Sequence, residues 1–172
     1  PVHGVVGENG GLAFRYDGKK MRRHFARNKK QRSEDRAKLR TIRHEVLRQV
    51  PGSAVASDQF CRLFDLAIDF SEDVKPLSPG EIEKIVGLFK KHGAQAKVSN
   101  IHVNGWFGTH DKLSTCRLYL QKEFKFSDEQ MKRHCAFVGD SPNDEPMFEF
   151  FPNSIAVANI QEFLGRLKSR PQ

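Results

Sequence analysis

The sequence has few cysteines and no long apolar run, and both absences narrow the possible classes of protein. Its three cysteines, Cys61, Cys116 and Cys135, are widely spaced among apolar neighbours. That spacing argues against a disulfide framework or a zinc cluster and predicts reduced packing residues. No run approaches the roughly 18 apolar residues of a membrane span. Residues 1–4 also lack the basic and apolar regions of a secretory signal, so we expect a cytoplasmic protein.

Positive charge is concentrated in one part of the chain. Residues 15–48 hold fourteen Lys or Arg against four Asp or Glu, an excess of +10, whereas the other residues hold fifteen against seventeen, a balance of −2. Basic regions of this kind bind phosphates on nucleic acids or on small anionic substrates, and a solvated helix face has the same composition. Only Tyr16 and Phe25 lie nearby as aromatic residues, which weakens the case for a surface that stacks bases.

The first hundred residues predict an α+β unit with an antiparallel sheet. Ser33 is expected to cap a helix that runs to Val50, and Ser78 is expected to cap a second helix that ends at Gly93. Asp17-Gly18 is a favoured hairpin turn. The expected strands are residues 2–6, 12–16, 20–25, 60–70, 95–99 and 101–107.

After Gly108 the pattern changes to alternating helices and strands, which implies a parallel sheet. Strand 2–6 is expected to return to this sheet. The sequence therefore predicts an α/β protein, with a Rossmann-like core at residues 1–13 and 108–172 and an inserted α+β unit at residues 14–107. The helices expected in the second part begin at Asp111, Ser127, Pro142 and Gln161, and its strands lie at 135–139 and 155–157.

The most informative segment is Gly-Asp-Ser-Pro-Asn-Asp at residues 139–144, which follows a short apolar run. The pattern predicts a buried strand that turns into a helix, and ligand crevices form at such strand ends in open α/β sheets. Asp140 and Asp144 are close enough in sequence to share one Mg²⁺, a cation that prefers oxygen ligands. Ser141 and Asn143 add further oxygen atoms. Simple capping of the helix by Asp140 and Ser141 is the alternative.

Lys112 follows Asp111 at the start of a predicted helix, where the helix macrodipole disfavours a cation. It therefore needs an anionic partner, and a substrate phosphate or the carboxylate cluster would serve. A fixed ammonium that neutralises phosphoryl oxygens is recurrent in phosphoryl transfer. A solvated lysine is the alternative.

Strand alternation places His102, Asn104 and Trp106 on one face of the predicted strand 101–107. Asn can bond hydroxyl groups and Trp can stack on a pyranose, so this face suits a sugar. An exposed polar sheet face would have the same composition. Arg22 on the hairpin is expected to steer an anionic substrate, unless it is simply solvated.

These residues resemble the motifs of the haloacid dehalogenase-like phosphohydrolases. Residues 139–144 resemble the fourth motif of that superfamily, Lys112 resembles the lysine of its third motif, and Glu8-Asn9-Gly10 resembles the segment before its cap. Residues 14–107 resemble the type IIB cap of its sugar-phosphate phosphatases, which include sucrose-phosphate and mannosylglycerate-phosphate phosphatases. The resemblance covers essentially the whole chain.

The resemblance implies Mg²⁺-dependent hydrolysis of a phosphate monoester, on a sugar phosphate or a similar metabolite, through an aspartyl-phosphate intermediate. Asp140 would bind Mg²⁺, and Asp144 would hold a metal-bound water or orient Lys112. Lys112 would neutralise the nucleophile and the transferred phosphoryl group. The shell around the metal and the phosphate would be completed by Ser141, Asn143 and Asn9.

The sequence departs from this family because it contains no Asp-x-Asp, the motif that supplies the nucleophile and the general acid. Asp65 and Asp69 are four residues apart in the predicted cap. We therefore expect the nucleophile upstream of Pro1, a core that is incomplete at its amino-terminal side, and no hydrolysis by this chain alone. In the alternative, a non-catalytic protein of this fold binds nucleic acid or another polyanion through residues 15–48.

Overall fold

The computed structural model describes residues 2–158, 160 and 161, and the chain divides into two compact units. The first unit comprises Pro1–Ala26 and His110–Gln172, and the second comprises Arg27–Thr109. In chain order, the strands are β1 (Val5–Gly7), β2 (Leu12–Tyr16), β3 (Met21–Phe25), β4 (Ala54–Val55), β5 (Asp65–Asp69), β6 (Gln95–Val98), β7 (His102–Trp106), β8 (Phe137–Gly139) and β9 (Ser154–Ala156). The helices are α1 (Lys29–Gln49), α2 (Pro79–Lys91), α3 (Lys112–Phe124), α4 (Asp128–His134) and α5 (Glu145–Phe150).

The second unit is an antiparallel sheet with two helices packed on one face, as the sequence predicts. Its strand order is β4-β5-β7-β6. Ile42 and Val46 of α1, together with Ile85 of α2, pack against Ile68 and Val103 of the two central strands. The apolar residues at i, i+3 and i+4 of each helix therefore form the core that orients the sheet.

Helix α1 begins earlier than the sequence predicts. The Asn28 side chain accepts a hydrogen bond from the Gln31 amide, and the Gln31 side chain accepts one from the Asn28 amide, both at 3.0 Å. This capping box starts the helix at Lys29, so the prediction that Ser33 caps it is wrong. The Ser78 cap of α2 is confirmed by the same type of capping box.

Two predicted strands differ from the structure. Only Asp65–Asp69 of the expected strand 60–70 is extended, because Gln59–Cys61 forms a turn of 3-10 helix that leaves Phe60 87% exposed. Strand β8 is present but not fully buried, since Val138 is 57% exposed. Cys61 is also exposed, so it is not the packing residue that was predicted, whereas all three cysteines are free as expected.

Among its described residues, the first unit contains an antiparallel sheet, a parallel strand pair and three α-helices. β1, β2 and β3 form the antiparallel sheet, and β8 pairs with β9 in parallel. The expectation that residues 2–6 join the parallel sheet is therefore wrong for the described strands, because β1 pairs with β2. The hairpin β2–β3 thus lies in the first unit, although the predicted boundary at residue 14 assigns it to the inserted unit.

Two side-chain contacts join the amino-terminal segment of the first unit to α3. Tyr119 on α3 donates a hydrogen bond to the His3 carbonyl at 3.0 Å, and Arg15 on β2 pairs with Glu123 on α3 at 2.9 Å. Within the described part of the chain, no helix is both long and apolar enough to cross a bilayer. Beyond Gln161 itself, the helix predicted to begin there lies outside the described residues.

Candidate active site

The candidate site begins where β8 ends at Gly139. A Cβ atom at this position would lie 2.8 Å from Asp144 Oδ2 and 2.7 Å from the Phe137 ring, so only glycine allows the turn to fold back this closely. Pro142–Asp144 then forms one turn of 3-10 helix that leads into α5. The strand end, the glycine and the proline together place four polar side chains in a single turn.

Asp144 is the buried carboxylate of this turn and is only 3% exposed. Its Oδ2 accepts hydrogen bonds from the backbone amides of Asp140 at 3.1 Å and Ser141 at 3.4 Å. Its Oδ1 forms an ion pair with Nζ of Lys112. Each carboxylate oxygen therefore has a partner, which suits Asp144 to orienting Lys112 more than to binding a metal directly.

Lys112 reaches this turn from the first position of α3. The Asp111 side chain caps that helix by accepting a hydrogen bond from the Ser114 amide at 2.7 Å. The helix start is an unfavourable place for a cation, and Asp144 supplies the anionic partner that the sequence argument required. One turn further along α3, burial raises the pKa of the Cys116 thiol to about 11, with Lys112 acting in the opposite direction. A thiol with a raised pKa is a poor nucleophile at neutral pH, so Cys116 is not a candidate for that role.

The remaining side chains of the turn divide into one exposed group and two that contact each other. Asp140 is exposed at the strand end. Ser141 is buried and donates a hydrogen bond from its Oγ to Oδ1 of Asn143. A Mg²⁺ ion typically binds one or two protein carboxylates and keeps several waters. The carboxylates of this turn fit that pattern. The exposed Asp140 could bind the ion, and Asp144 contacts the Asp140 amide.

The Glu8–Gly10 turn packs against the start of α3. Thr115 donates a hydrogen bond from Oγ1 to the Gly10 carbonyl at 2.8 Å, and a Cβ atom at Gly10 would lie 2.1 Å from the Asp111 carbonyl oxygen. Gly10 also has a φ of +91°, which favours glycine. Asn9, predicted in the phosphate and metal shell, therefore lies in a turn held against the helix that carries Lys112. The sequence analysis named Gly10 only as part of the Glu8-Asn9-Gly10 segment, and it missed Thr115.

The three side chains predicted to face a sugar are buried. His102, Asn104 and Trp106 are 7%, 7% and 3% exposed, so the alternative of a solvent-exposed polar sheet face is not observed. They alternate along β7 opposite Asp69, Ala67 and Asp65 of β5, on the side of the sheet away from the Ile68 and Val103 core. Asn104 Oδ1 accepts a hydrogen bond from Arg62 at 3.2 Å.

Asp69, Glu72 and His102 form a group whose ligand atoms lie within 4.8 Å of one another, close enough to hold a metal ion. The protein already supplies partners, because His102 Nε2 lies 2.8 Å from Glu72 Oε2 and Asp69 accepts hydrogen bonds from three backbone amides. Burial acts to raise the pKa of Asp69, but these amides lower it on balance. Asp69 and His102 of this group are buried, Glu72 is exposed, and the Asp69 oxygens are already occupied by the three backbone amides.

Arg22 belongs to a different unit from His102, Asn104 and Trp106. It lies on β3 of the first unit, and its Nε donates a hydrogen bond to Asp17 Oδ2 at 2.7 Å. This contact lowers the pKa of the Asp17 carboxyl. The pair stabilises the hairpin turn, and the predicted placement of Arg22 within the cap is not what the structure describes.

Known structures share this fold at low sequence identity. The sucrose-phosphatase of Synechocystis sp. PCC6803, in complex with sucrose and phosphate, aligns with 15% identity and a TM-score of 0.63, over 95% of this chain and 62% of that chain. A Thermoplasma acidophilum protein, 0175, aligns with 18% identity and a TM-score of 0.58, over 88% of this chain and 57% of that one. The Candida albicans trehalose-6-phosphate phosphatase C-terminal domain aligns with 13% identity and a TM-score of 0.52, over 80% and 48% of the two chains.

The chain thus spans about half to three-fifths of the length of these solved structures. No protein-family profile matches the sequence, and no curated protein sequence matches it. The structural likeness confirms the predicted α/β fold class. The chain therefore shares its fold with a sucrose-phosphatase and with a trehalose-6-phosphate phosphatase domain.

Proposed function

We propose that this chain forms the larger part of a Mg²⁺-dependent phosphatase that hydrolyses a sugar phosphate or a similar phosphorylated metabolite. The observation that carries the proposal is the ion pair between Lys112 and Asp144 at the end of β8, beside the exposed Asp140. The same fold is found in a sucrose-phosphatase and in a trehalose-6-phosphate phosphatase, which supports this reaction class. The names of these two proteins describe their own substrates, and a sugar phosphate as the substrate of this chain is part of our proposal.

Each polar residue of the site has a distinct role in the proposal. Lys112 binds and neutralises the phosphoryl oxygens, and Asp144 fixes the position of its ammonium group. Asp140 would hold Mg²⁺, and the bound ion would supply positive charge for the substrate phosphate. Ser141 and Asn143, which bond each other, keep the turn in shape. The Glu8–Gly10 turn supports the helix that carries the lysine.

The proposal requires an aspartate nucleophile from outside these 172 residues, since the sequence contains no Asp-x-Asp. That carboxylate attacks phosphorus, the alcohol leaves as the P–O bond breaks, and water then hydrolyses the aspartyl phosphate. Exposed apolar side chains support the idea that further core residues pack against the parallel strand pair. Val138 and Ile155 on that pair are 57% and 56% exposed, as expected of two strands that have no further strand beside them among the described residues.

In this proposal the second unit acts as the cap that selects the substrate. Its β7 face, with His102, Asn104 and Trp106, carries groups that can bond hydroxyls and stack on a sugar ring. Arg62 already pairs with Asn104, so a sugar hydroxyl would have to compete with that contact. Loss of sugar selectivity in Asn104→Ala, with hydrolysis of a generic aryl phosphate retained, would support this assignment. Equal loss on both substrates would contradict it.

A panel of phosphate esters tests the function directly. The full-length protein should release phosphate from an aryl phosphate and from at least one sugar phosphate in the presence of Mg²⁺, and chelation should abolish the activity. Asp140→Asn should lower kcat/KM by at least 100-fold. Glu129→Gln, an exposed change on α4, should have no effect. No activity on any ester, or a full-length sequence without an upstream Asp-x-Asp, would overturn the proposal.

A further inference from the structure

A cavity in the second unit is lined by arginines that the proposed phosphatase site does not use. It has a volume of about 680 Å³ and lies between α1 and residues 55–66. This volume is within the range of small-molecule sites, which is roughly 300–1,000 Å³. Every residue that lines it belongs to the second unit.

One wall of the cavity is a row of three arginines. Arg36, Arg40 and Arg43 are spaced four and three residues apart on α1, so their side chains follow one face of the helix over about 10 Å. All three are exposed, and none forms an ion pair or hydrogen bond with a residue that the structure describes. Like charges at this spacing repel each other and destabilise a helix. An anion bound between the three guanidinium groups would reduce that repulsion.

The fourth arginine of the cavity has a different role. Arg62 donates hydrogen bonds to both carboxylate oxygens of Asp58, at 2.8 and 2.9 Å, and to Asp65 at 3.1 Å. Its charge is therefore neutralised within the wall. The charge available to a ligand comes from the three arginines of α1.

Apart from Arg62, Asp65 and Gln59, the rest of the cavity lining is apolar, and it carries one exposed aromatic ring. Leu39, Ala56 and Leu66 are buried residues of its lining, whereas Phe60 is 87% exposed. An exposed phenylalanine beside guanidinium groups is the combination that stacks a nucleobase while the phosphates are neutralised. An inorganic polyphosphate would use the arginine row but would leave the ring and the apolar surface uncovered.

We propose that this cavity binds a nucleotide, with its phosphates on the row formed by Arg36, Arg40 and Arg43 and its base on Phe60. The ligand is a free nucleotide or a nucleotide within a single strand, since both present the same chemistry. This site uses only part of the basic region at residues 15–48, because residues 15–26 belong to the first unit. The proposal does not rest on the phosphatase function.

Binding to the 172-residue chain can be measured with two probes in the presence of a chelator. The probes are a fluorescein-labelled twelve-residue oligothymidylate, followed by fluorescence anisotropy, and adenosine triphosphate, followed by calorimetry. Neutralising three phosphates of a single strand predicts a slope of log K against log salt of about −2, from roughly 0.7 per phosphate. Binding of either probe supports the proposal, and the probe that binds more tightly identifies the source of the nucleotide.

Matched variants separate the cavity from a diffuse basic surface. Arg40→Glu should weaken binding at least tenfold at 50 mM salt, whereas Arg48→Glu, the same change at an exposed position of the same helix outside the cavity, should change it less than threefold. Phe60→Ala should weaken binding about fivefold or more, and Phe60→Trp should restore it. Asp140→Asn, a change in the first unit, should leave the affinity for both probes unchanged.

Four results would overturn the inference. They are the absence of binding by both probes at 50 mM salt, an equal loss in Arg40→Glu and Arg48→Glu, unchanged binding in Phe60→Ala, and displacement of the labelled strand by tripolyphosphate as readily as by adenosine triphosphate. Circular dichroism of each variant verifies that the helices are intact.

Discussion

The pair formed by Lys112 and Asp144 can be tested as a coupled unit, independently of any activity. The Asp144 side chain is only 4% exposed, and the Lys112 side chain is 35% exposed. Lys112→Met would leave a buried carboxylate with backbone amides as its remaining hydrogen-bond donors. Asp144→Asn would leave a lysine that can turn toward water. The two substitutions therefore have unequal costs.

The magnitudes follow from this difference in burial. Removing one partner of a fully buried ion pair costs about 3–5 kcal/mol of unfolding free energy. Because the lysine is about one-third exposed, solvent screens the pair, and we expect about 2–3 kcal/mol for Lys112→Met. Asp144→Asn should cost about 1–2 kcal/mol, since an amide oxygen still accepts from the backbone. The double variant leaves no unpaired charge and should cost about 1–2 kcal/mol, which is about 2–3 kcal/mol less than the sum of the single changes, and this difference is the coupling energy.

Urea denaturation followed by circular dichroism measures the four unfolding free energies, and hydrogen exchange in α3 assigns the loss to the first unit. Lys122→Met, an exposed change on the same helix, is the matched control and should shift stability by less than about 0.5 kcal/mol. Additivity of the single changes within about 0.5 kcal/mol would refute the coupling. A cost for Lys112→Met no larger than that of Lys122→Met would refute the burial argument.

Three further predictions concern packing, pH and thiol reactivity. Gly105→Ala should cost roughly 2–3 kcal/mol in urea denaturation, because its Cβ would lie 2.1 Å from the buried Phe89 ring, and Phe89→Leu in the same chain should recover part of the loss. A change of less than about 0.5 kcal/mol would contradict that contact. Hydrogen bonds from its lysine and histidine partners lower the pKa of Glu45 from 4.5 to about 2, so its stabilisation is present above pH 4.5 and is lost as the pH falls toward 2. Glu45→Gln should therefore lower the urea midpoint at pH 7 and match the wild type near pH 2, and a pH-independent difference would contradict this. At pH 8, iodoacetamide should modify the exposed Cys61 at least tenfold faster than Cys116, whose pKa is raised to about 11, and equal rates by mass spectrometry would contradict the burial of Cys116.

Local sequence signals predicted much of the fold and the candidate site. The Ser78 cap, the Asp111 cap and the Asp17-Gly18 turn each depend on neighbours within a few residues, and the structure has helices and a hairpin at all three. The carboxylate cluster was one of two anionic partners suggested for Lys112 by its position at a helix start, and in the structure Asp144 of that cluster pairs with it.

Other features depended on interactions that are distant in sequence or on a choice between similar local signals. Ser33 and Asn28 are both acceptable caps, and only the reciprocal bonds with Gln31 decide in favour of Asn28. Strand alternation predicted which face of the sheet carries Trp106. It could not predict that Trp106 is buried, because burial depends on residues distant in sequence that cover that face. The pairing of β1 with β2, rather than with the parallel pair, is likewise a tertiary preference.

The catalytic contribution of Lys112 tests the central claim most directly. The measurement is kcat/KM of the full-length protein for a sugar phosphate that it hydrolyses, with Lys112→Ala compared with Lys122→Ala on the same helix. If Lys112 neutralises the phosphoryl oxygens, its removal should lower kcat/KM by about 100- to 1,000-fold, while the exposed Lys122→Ala control should retain full activity. Equal activity of the two variants would contradict the assignment of this turn as a phosphoryl-transfer site.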